Sequence, residues 1–137
     1  RLWTIPAGSV KGHPDTHIVP LSDLCLEVID PMPRYNNSDL VFTVNGTTSF
    51  ANFYKSHKRI LTVTKTTSWT RHDLRRTTGT ILQSKGYGEL EIGALLAHKP
   101  KSSNATQIYM RHDYRETKAR AVTDIAAYVL DVVAKNK

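Results

Sequence analysis

Apolar positions change their period several times along the 137-residue chain, and each change marks an element. Leu2-Trp3-Thr4-Ile5 and His17-Ile18-Val19-Pro20 are short extended stretches, separated by residues 6–16, which are rich in Gly, Pro and Asp. They predict the two strands of a hairpin whose long loop carries Lys11 near its tip. Ser22 then caps a helix on which Leu21, Leu24, Val28 and Ile29 keep helical spacing; Cys25 reads as a core residue, and Pro31 and Pro33 as the stop. After a polar loop over 34–39, residues 40–44 read as a third short strand, closed by the Asn45-Gly46 turn.

Helical spacing returns over about 49–61 with Phe50, Phe53, Tyr54, Ile60 and Leu61, followed by a threonine-rich connection over 62–70. Thr70 and Asp73 form a capping-box pattern that opens a helix over 71–85, with Leu74, Thr78, Ile81 and Leu82 on its inner side and Gly86 as the stop. Glu89 and Glu91 suit the first turn of the next helix, where the macrodipole favours anions. Its buried stripe is Leu90, Ile92, Leu95 and Leu96, and Pro100 places its end near His98. A basic loop over 99–104, a helical turn over 105–111 and a long helix over 115–134 complete the chain. Val122, Ile125, Ala126, Val129 and Val133 form the stripe of that last helix. The fold class is α+β, mainly α: a helical domain with a small antiparallel sheet near its N-terminus.

Composition narrows the choices. With 39% hydrophobic and 23% charged residues the chain is ordinary globular material, of a length that builds one core. No apolar run is long enough to span a bilayer, so no membrane partner is expected. Cys25 is the single cysteine, which rules out an intrachain disulfide and a thiolate metal cluster. The six histidines are scattered and no pair has the helical i, i+4 ligand spacing with a third ligand at hand, so no metal and no other cofactor is expected. The formal net charge of +7 points to a polyanionic partner, nucleic acid first.

One stretch carries candidate chemistry by itself. On the helix that opens at Arg71, His72 and Arg75 stand at i and i+3 and share a face. A guanidinium fork beside a titratable ring is a ready phosphate clamp. A solvated basic helix start is the plainer reading of the same residues.

With Lys11 on the hairpin loop, His72-x-x-Arg75 at a helix start, Leu95-Leu96-Ala97-His98 and Thr106-Gln107-Ile108-Tyr109, the chain resembles the catalytic domain of the tyrosine recombinases, the phage and prophage integrases in particular. The similarity runs over essentially the whole chain. It implies DNA strand cleavage and rejoining through a 3′-phosphotyrosyl link, with no metal or ATP. Tyr109 would be the nucleophile, Arg75 and His98 the phosphate braces, His72 a proton-transfer partner and Lys11 the acid for the leaving 5′ oxygen. Tyr114 is the rival nucleophile; the Thr-x-x-Tyr pattern after His98 favours Tyr109. Arg71, Arg76, Lys99 and Lys101 flank this set and are candidate DNA-phosphate contacts.

The resemblance further implies double-stranded attachment-site DNA as partner, a homotetramer on that DNA, and a cytoplasmic, nucleoid-associated location. The family's first arginine has no counterpart here, and the chain begins at Arg1 rather than Met. It is therefore expected to be the C-terminal part of an integrase catalytic domain, incomplete as an enzyme by itself. The competing expectation is a non-catalytic DNA-binding helical module, for which the charge and the helix after Thr70 suffice.

Overall fold

The computed structural model of the chain describes residues 1–9, 15–98 and 114–136. Strand β1 (Leu2–Ile5) pairs antiparallel with β2 (His17–Pro20), Trp3 opposite Val19 and Ile5 opposite His17. The hairpin is as expected; Lys11, on its loop, lies outside the described residues. Helix α1 (Asp23–Ile29) follows, its N-terminus closed by Ser22 Oγ, which accepts from the Cys25 amide. Cys25 is exposed rather than in the core, as is Val28. The cap sets Cys25 in the first turn, where its Sγ meets the Ser22 hydroxyl at 3.4 Å instead of apolar neighbours.

Residues 40–44 do not form a third strand; the segment makes one isolated bridge, Thr43 to Ser49. Side chains take the place of a ladder there. Asn45 Oδ1 accepts from the amides of Thr47 and Thr48, and the Thr43 hydroxyl donates to the Thr48 carbonyl at 2.6 Å. The Asn45-Gly46 turn itself forms. Gly46 sits at φ 78°, and a Cβ there would come within 2.8 Å of the Tyr35 side chain, so the position needs glycine on both counts.

Helix α2 (Phe53–Thr64) starts four residues later than its spacing predicts and runs on into the threonines. The hydroxyls of Thr62 and Thr64 donate to the carbonyls of Lys58 and Ile60 one turn back, so both side chains are satisfied within the helix. None of its residues is buried, and Phe53, Tyr54 and Ile60 lie exposed. Helix α3 (Arg71–Ser84) matches expectation at both ends, with Gly86 at φ 86° as the stop. Its inner face is Ile81 and Leu82; Leu74, expected there, is 57% exposed. Helix α4 (Glu89–Leu95) opens with Glu91 Oε2 accepting from the Gly88 amide at 2.8 Å. It closes three residues before His98, because Ala97 reverses the chain at φ 52°. Leu90, expected in its buried stripe, is exposed.

Residues 99–113, with the helical turn expected at 105–111, lie outside the described residues. Helix α5 (Arg115–Lys135) packs through its first half only: Ala121 is buried and Val122 and Ile125 lie against the core, while Val129 and Val133 are exposed. Among the described residues the core is thus one small cluster of Leu82, Tyr87, Leu95 and Ala121, flanked by Val19 and Ile92. It joins α3, α4, α5 and β2. Polar ties reinforce it: the Tyr87 hydroxyl donates to Asp124 at 2.6 Å, and buried Lys118 donates to the Ile18 carbonyl on β2. Among the described residues the architecture is mainly helical with one two-stranded antiparallel sheet, as predicted.

Candidate active site

The N-terminus of α3 is held from three sides. Asp73 Oδ2 accepts from the Thr70 amide at 2.8 Å and the Thr70 hydroxyl at 2.7 Å, closing the capping box. These bonds, the side-chain one first, hold the Asp73 carboxyl below its usual range, with Arg76 and His72 adding positive charge. Arg71 lays its guanidinium over the Phe53 ring, 4.9 Å from the centroid. Before the helix, Trp69 packs on the His57 ring of α2 at 4.5 Å. A directed chain of hydrogen bonds runs from Trp69 Nε1 to Thr66, from Thr66 to Thr64, and from Thr64 to the Ile60 carbonyl. Thr64 spends its proton on that carbonyl, so Thr66 must donate to Thr64 and accept from Trp69. The connection thereby fastens α3 to α2 with little apolar burial.

One turn into α3, Arg75 reaches the end of α4. Its Nε donates to His98 Nε2 at 3.3 Å and its Nη2 to the Leu96 carbonyl. The His98 amide bonds back to the Gly93 carbonyl at 2.9 Å, and Ala97 makes the reversal that brings the ring to Arg75. Burial first, then the Arg75 charge, then that of His72, push the His98 pKa below the ordinary histidine value. His98 is therefore neutral at pH 7. Because Nε2 accepts from Arg75, the ring proton sits on Nδ1.

The structure thus brings together Arg75 and His98 by contact, with exposed His72 close enough for its charge to act on His98. Arg71 and Arg76 lie beside His72 and Arg75 in the first turns of α3, each with a partner of its own: Phe53 for Arg71, and Asp73 at 3.4 Å for Arg76. Lys11, Lys99, Lys101 and Tyr109 lie outside the described residues. Tyr114, the rival tyrosine, is half-buried at the N-cap of α5 with φ 50°. Among the described residues no cluster of His, Cys, Asp or Glu could hold a metal ion, and no helix is long and apolar enough to cross a membrane.

A family model, that of the phage integrase family, matches residues 1–116. The chain belongs to the phage integrase family. Its members are the tyrosine recombinases, which break and rejoin DNA, so membership gives DNA as the partner and site-specific DNA recombination as the broad function. No curated protein and no solved structure matches the chain.

Two contacts at this site escape sequence reasoning. Trp69 reads as loop residue and His57 as one polar position of α2, although their stacking fixes the approach to α3. His17 reads only as a strand residue, yet its Nε2 reaches the Leu95 carbonyl at 3.2 Å, 78 positions away. Neither contact leaves a local signal.

Proposed function

We propose that this integrase cleaves and rejoins attachment-site DNA with Tyr109 as nucleophile. The observation that supports the reading is the pairing of Arg75 with His98 at the end of α4, beside His72. The Tyr109 oxygen attacks the scissile phosphorus, the bond to the 5′ oxygen breaks, and a 3′-phosphotyrosyl link forms. Lys11 gives the leaving 5′ oxygen its proton, and His72 takes the phenol proton. Attack by a 5′ hydroxyl on the link reverses the step and joins the strands, so no external energy source is needed.

Charge builds on the non-bridging oxygens as the phosphorus becomes five-coordinate. Fixed donors aimed there are worth about 10²–10³ in rate each. Arg75 is suited to that task, since its two described bonds use two of five N–H donors. Arg71, Arg76, Lys99 and Lys101 contact phosphates beside the site and set register without reading bases. The reading places a homotetramer on two attachment sites, at the nucleoid in the cytoplasm. It treats the chain as the C-terminal part of the catalytic domain. The family's first arginine is not supplied by these residues, so cleavage belongs to the protein in its natural full-length setting and the 137 residues by themselves bind DNA without cutting it efficiently.

A nicked suicide substrate carrying the attachment core, incubated with the full-length protein, tests this. A covalent protein–DNA adduct is expected with the wild type and with Tyr114→Phe, and none with Tyr109→Phe. An adduct that survives Tyr109→Phe removes the nucleophile assignment. DNA binding without an adduct on any core supports a non-catalytic DNA-binding module instead.

A further inference from the structure

Helix α4 stops at Leu95, so the carbonyls of its last turn need donors from elsewhere. Two side chains from two other elements supply them. Arg75 of α3 donates to the Leu96 carbonyl, and His17 of β2 lies with Nε2 3.2 Å from the Leu95 carbonyl. A carbonyl only accepts, so His17 carries its proton on Nε2. Between these carbonyls and His98 stands a single residue, Ala97, in the left-handed region.

His17 speaks for a strand that is itself well fixed. Its neighbour Ile18 accepts a bond from Lys118 of α5, Val19 packs on the core, and Pro20 is buried. The same strand closes the hairpin whose loop carries Lys11. A short contact from β2 to the end of α4 therefore sets the turn that bears His98 against the hairpin. Leu95 is also held by its side chain in the core; Arg75 from α3 and His17 from β2 add the side-chain hydrogen bonds to the carbonyls of the turn.

We propose that His17 is a positioning residue for DNA cleavage, holding the turn of Leu95 to His98 in register with the hairpin strand. This rests on the recombinase reading above. His17 touches no substrate; it acts through the Leu95 carbonyl.

The test begins with ¹⁵N imidazole spectra of the wild-type chain at neutral pH, which are expected to show His17 protonated on Nε2. An Nδ1–H tautomer overturns the proposal. His17→Phe then keeps a ring of similar size and removes the donor, while His17→Gln restores an N–H at about the place of Nε2. All measurements are made at a temperature where each variant is folded by circular dichroism.

In His17→Phe the His98 titration is expected to move up towards the ordinary histidine value as its turn loosens from Arg75; in His17→Gln it stays at the wild-type position. Single-turnover adduct formation by the full-length protein at saturating nicked DNA falls roughly tenfold or more in His17→Phe, the size of loss that small misplacements produce. It recovers to within about threefold of wild type in His17→Gln. A role in stability alone would lower the melting temperature and leave both readouts in place, which overturns the proposal, as does a Gln variant no better than Phe. Should the full-length wild type form no adduct, the recombinase reading fails, and the His98 titration still decides whether His17 places that turn.

Discussion

Replacing Arg75 separates its charge from its fork of donors. Arg75→Gln removes the bond from Nε to His98 at 3.3 Å and the bond from Nη2 to the Leu96 carbonyl. The second is in partly buried surroundings and involves a charged donor, so its loss costs about 1.5–3 kcal/mol; the long surface bond to His98 adds little. About 2 kcal/mol corresponds to roughly 6–8 °C in melting temperature for a domain of this size. The His98 ring reports the same change directly. Its pKa is depressed by burial first and the Arg75 charge second, so Arg75→Gln moves it upward and leaves it below the ordinary value. Arg75→Lys keeps a cation but offers a point donor in place of a fork, so the depression is largely retained while the bond to Leu96 or to His98 is lost. On nicked DNA both variants of the full-length protein should form adduct about 10²–10³ times more slowly than wild type. Thermal melts, an NMR titration of His98 and single-turnover assays check the three effects. If His98 titrates identically in wild type and Arg75→Gln, the pairing of these two residues is refuted, whatever happens to the rate.

Three further outcomes follow from the same geometry. Leu82 is fully buried at the centre of the core, so Leu82→Ala should cost about 2–5 kcal/mol, read as a fall in the denaturant midpoint with little change in slope. Thr70→Ala removes the hydroxyl half of the α3 cap and should cost about 1 kcal/mol, with Thr70→Ser restoring most of it in thermal melts. The depressed His98 pKa means that the native state holds fewer protons there than the unfolded chain, so its contribution is complete above the ordinary value of 6.5 and is lost as pH falls through the folded pKa. The stability difference between wild type and His98→Gln should therefore shrink between pH 7.5 and mildly acid pH, and a difference that grows on acidification refutes the assignment.

What was legible in the sequence is what local chemistry decides. The capping box of Thr70 and Asp73, the positive-φ stop at Gly86 and the His72-x-x-Arg75 spacing all act within one or two turns, and α3 came out with its predicted ends. Periodicity failed where it was asked about coverage. It groups Leu74 with Leu82, Leu90 with Leu95 and Val133 with Val122, but whether a face is buried depends on a partner that the pattern does not contain. The end of α4 was misplaced for a related reason: Pro100 is a visible stop, whereas a left-handed Ala97 has no residue-type signature. In the site, His98 entered through family resemblance, and His17 and Trp69 did not enter at all, because their partners are set by tertiary packing.

The same tertiary contacts constrain the chemistry. In this arrangement His98 Nε2 accepts from Arg75, so it cannot donate from that atom to a phosphate until the Arg75 bond is given up. Arg75 is likewise shared with the Leu96 carbonyl. Under the recombinase reading, arrival of the scissile phosphate must replace these acceptors, freeing Nε2 of His98 for a proton and a new bond. The phosphodiester monoanion is a stronger acceptor for a guanidinium than a neutral imidazole or carbonyl, which gives the exchange its direction. Binding of DNA and rearrangement of the turn from Leu95 to His98 are then one event, and the contacts that hold this turn from α3 and from β2 set how far it moves.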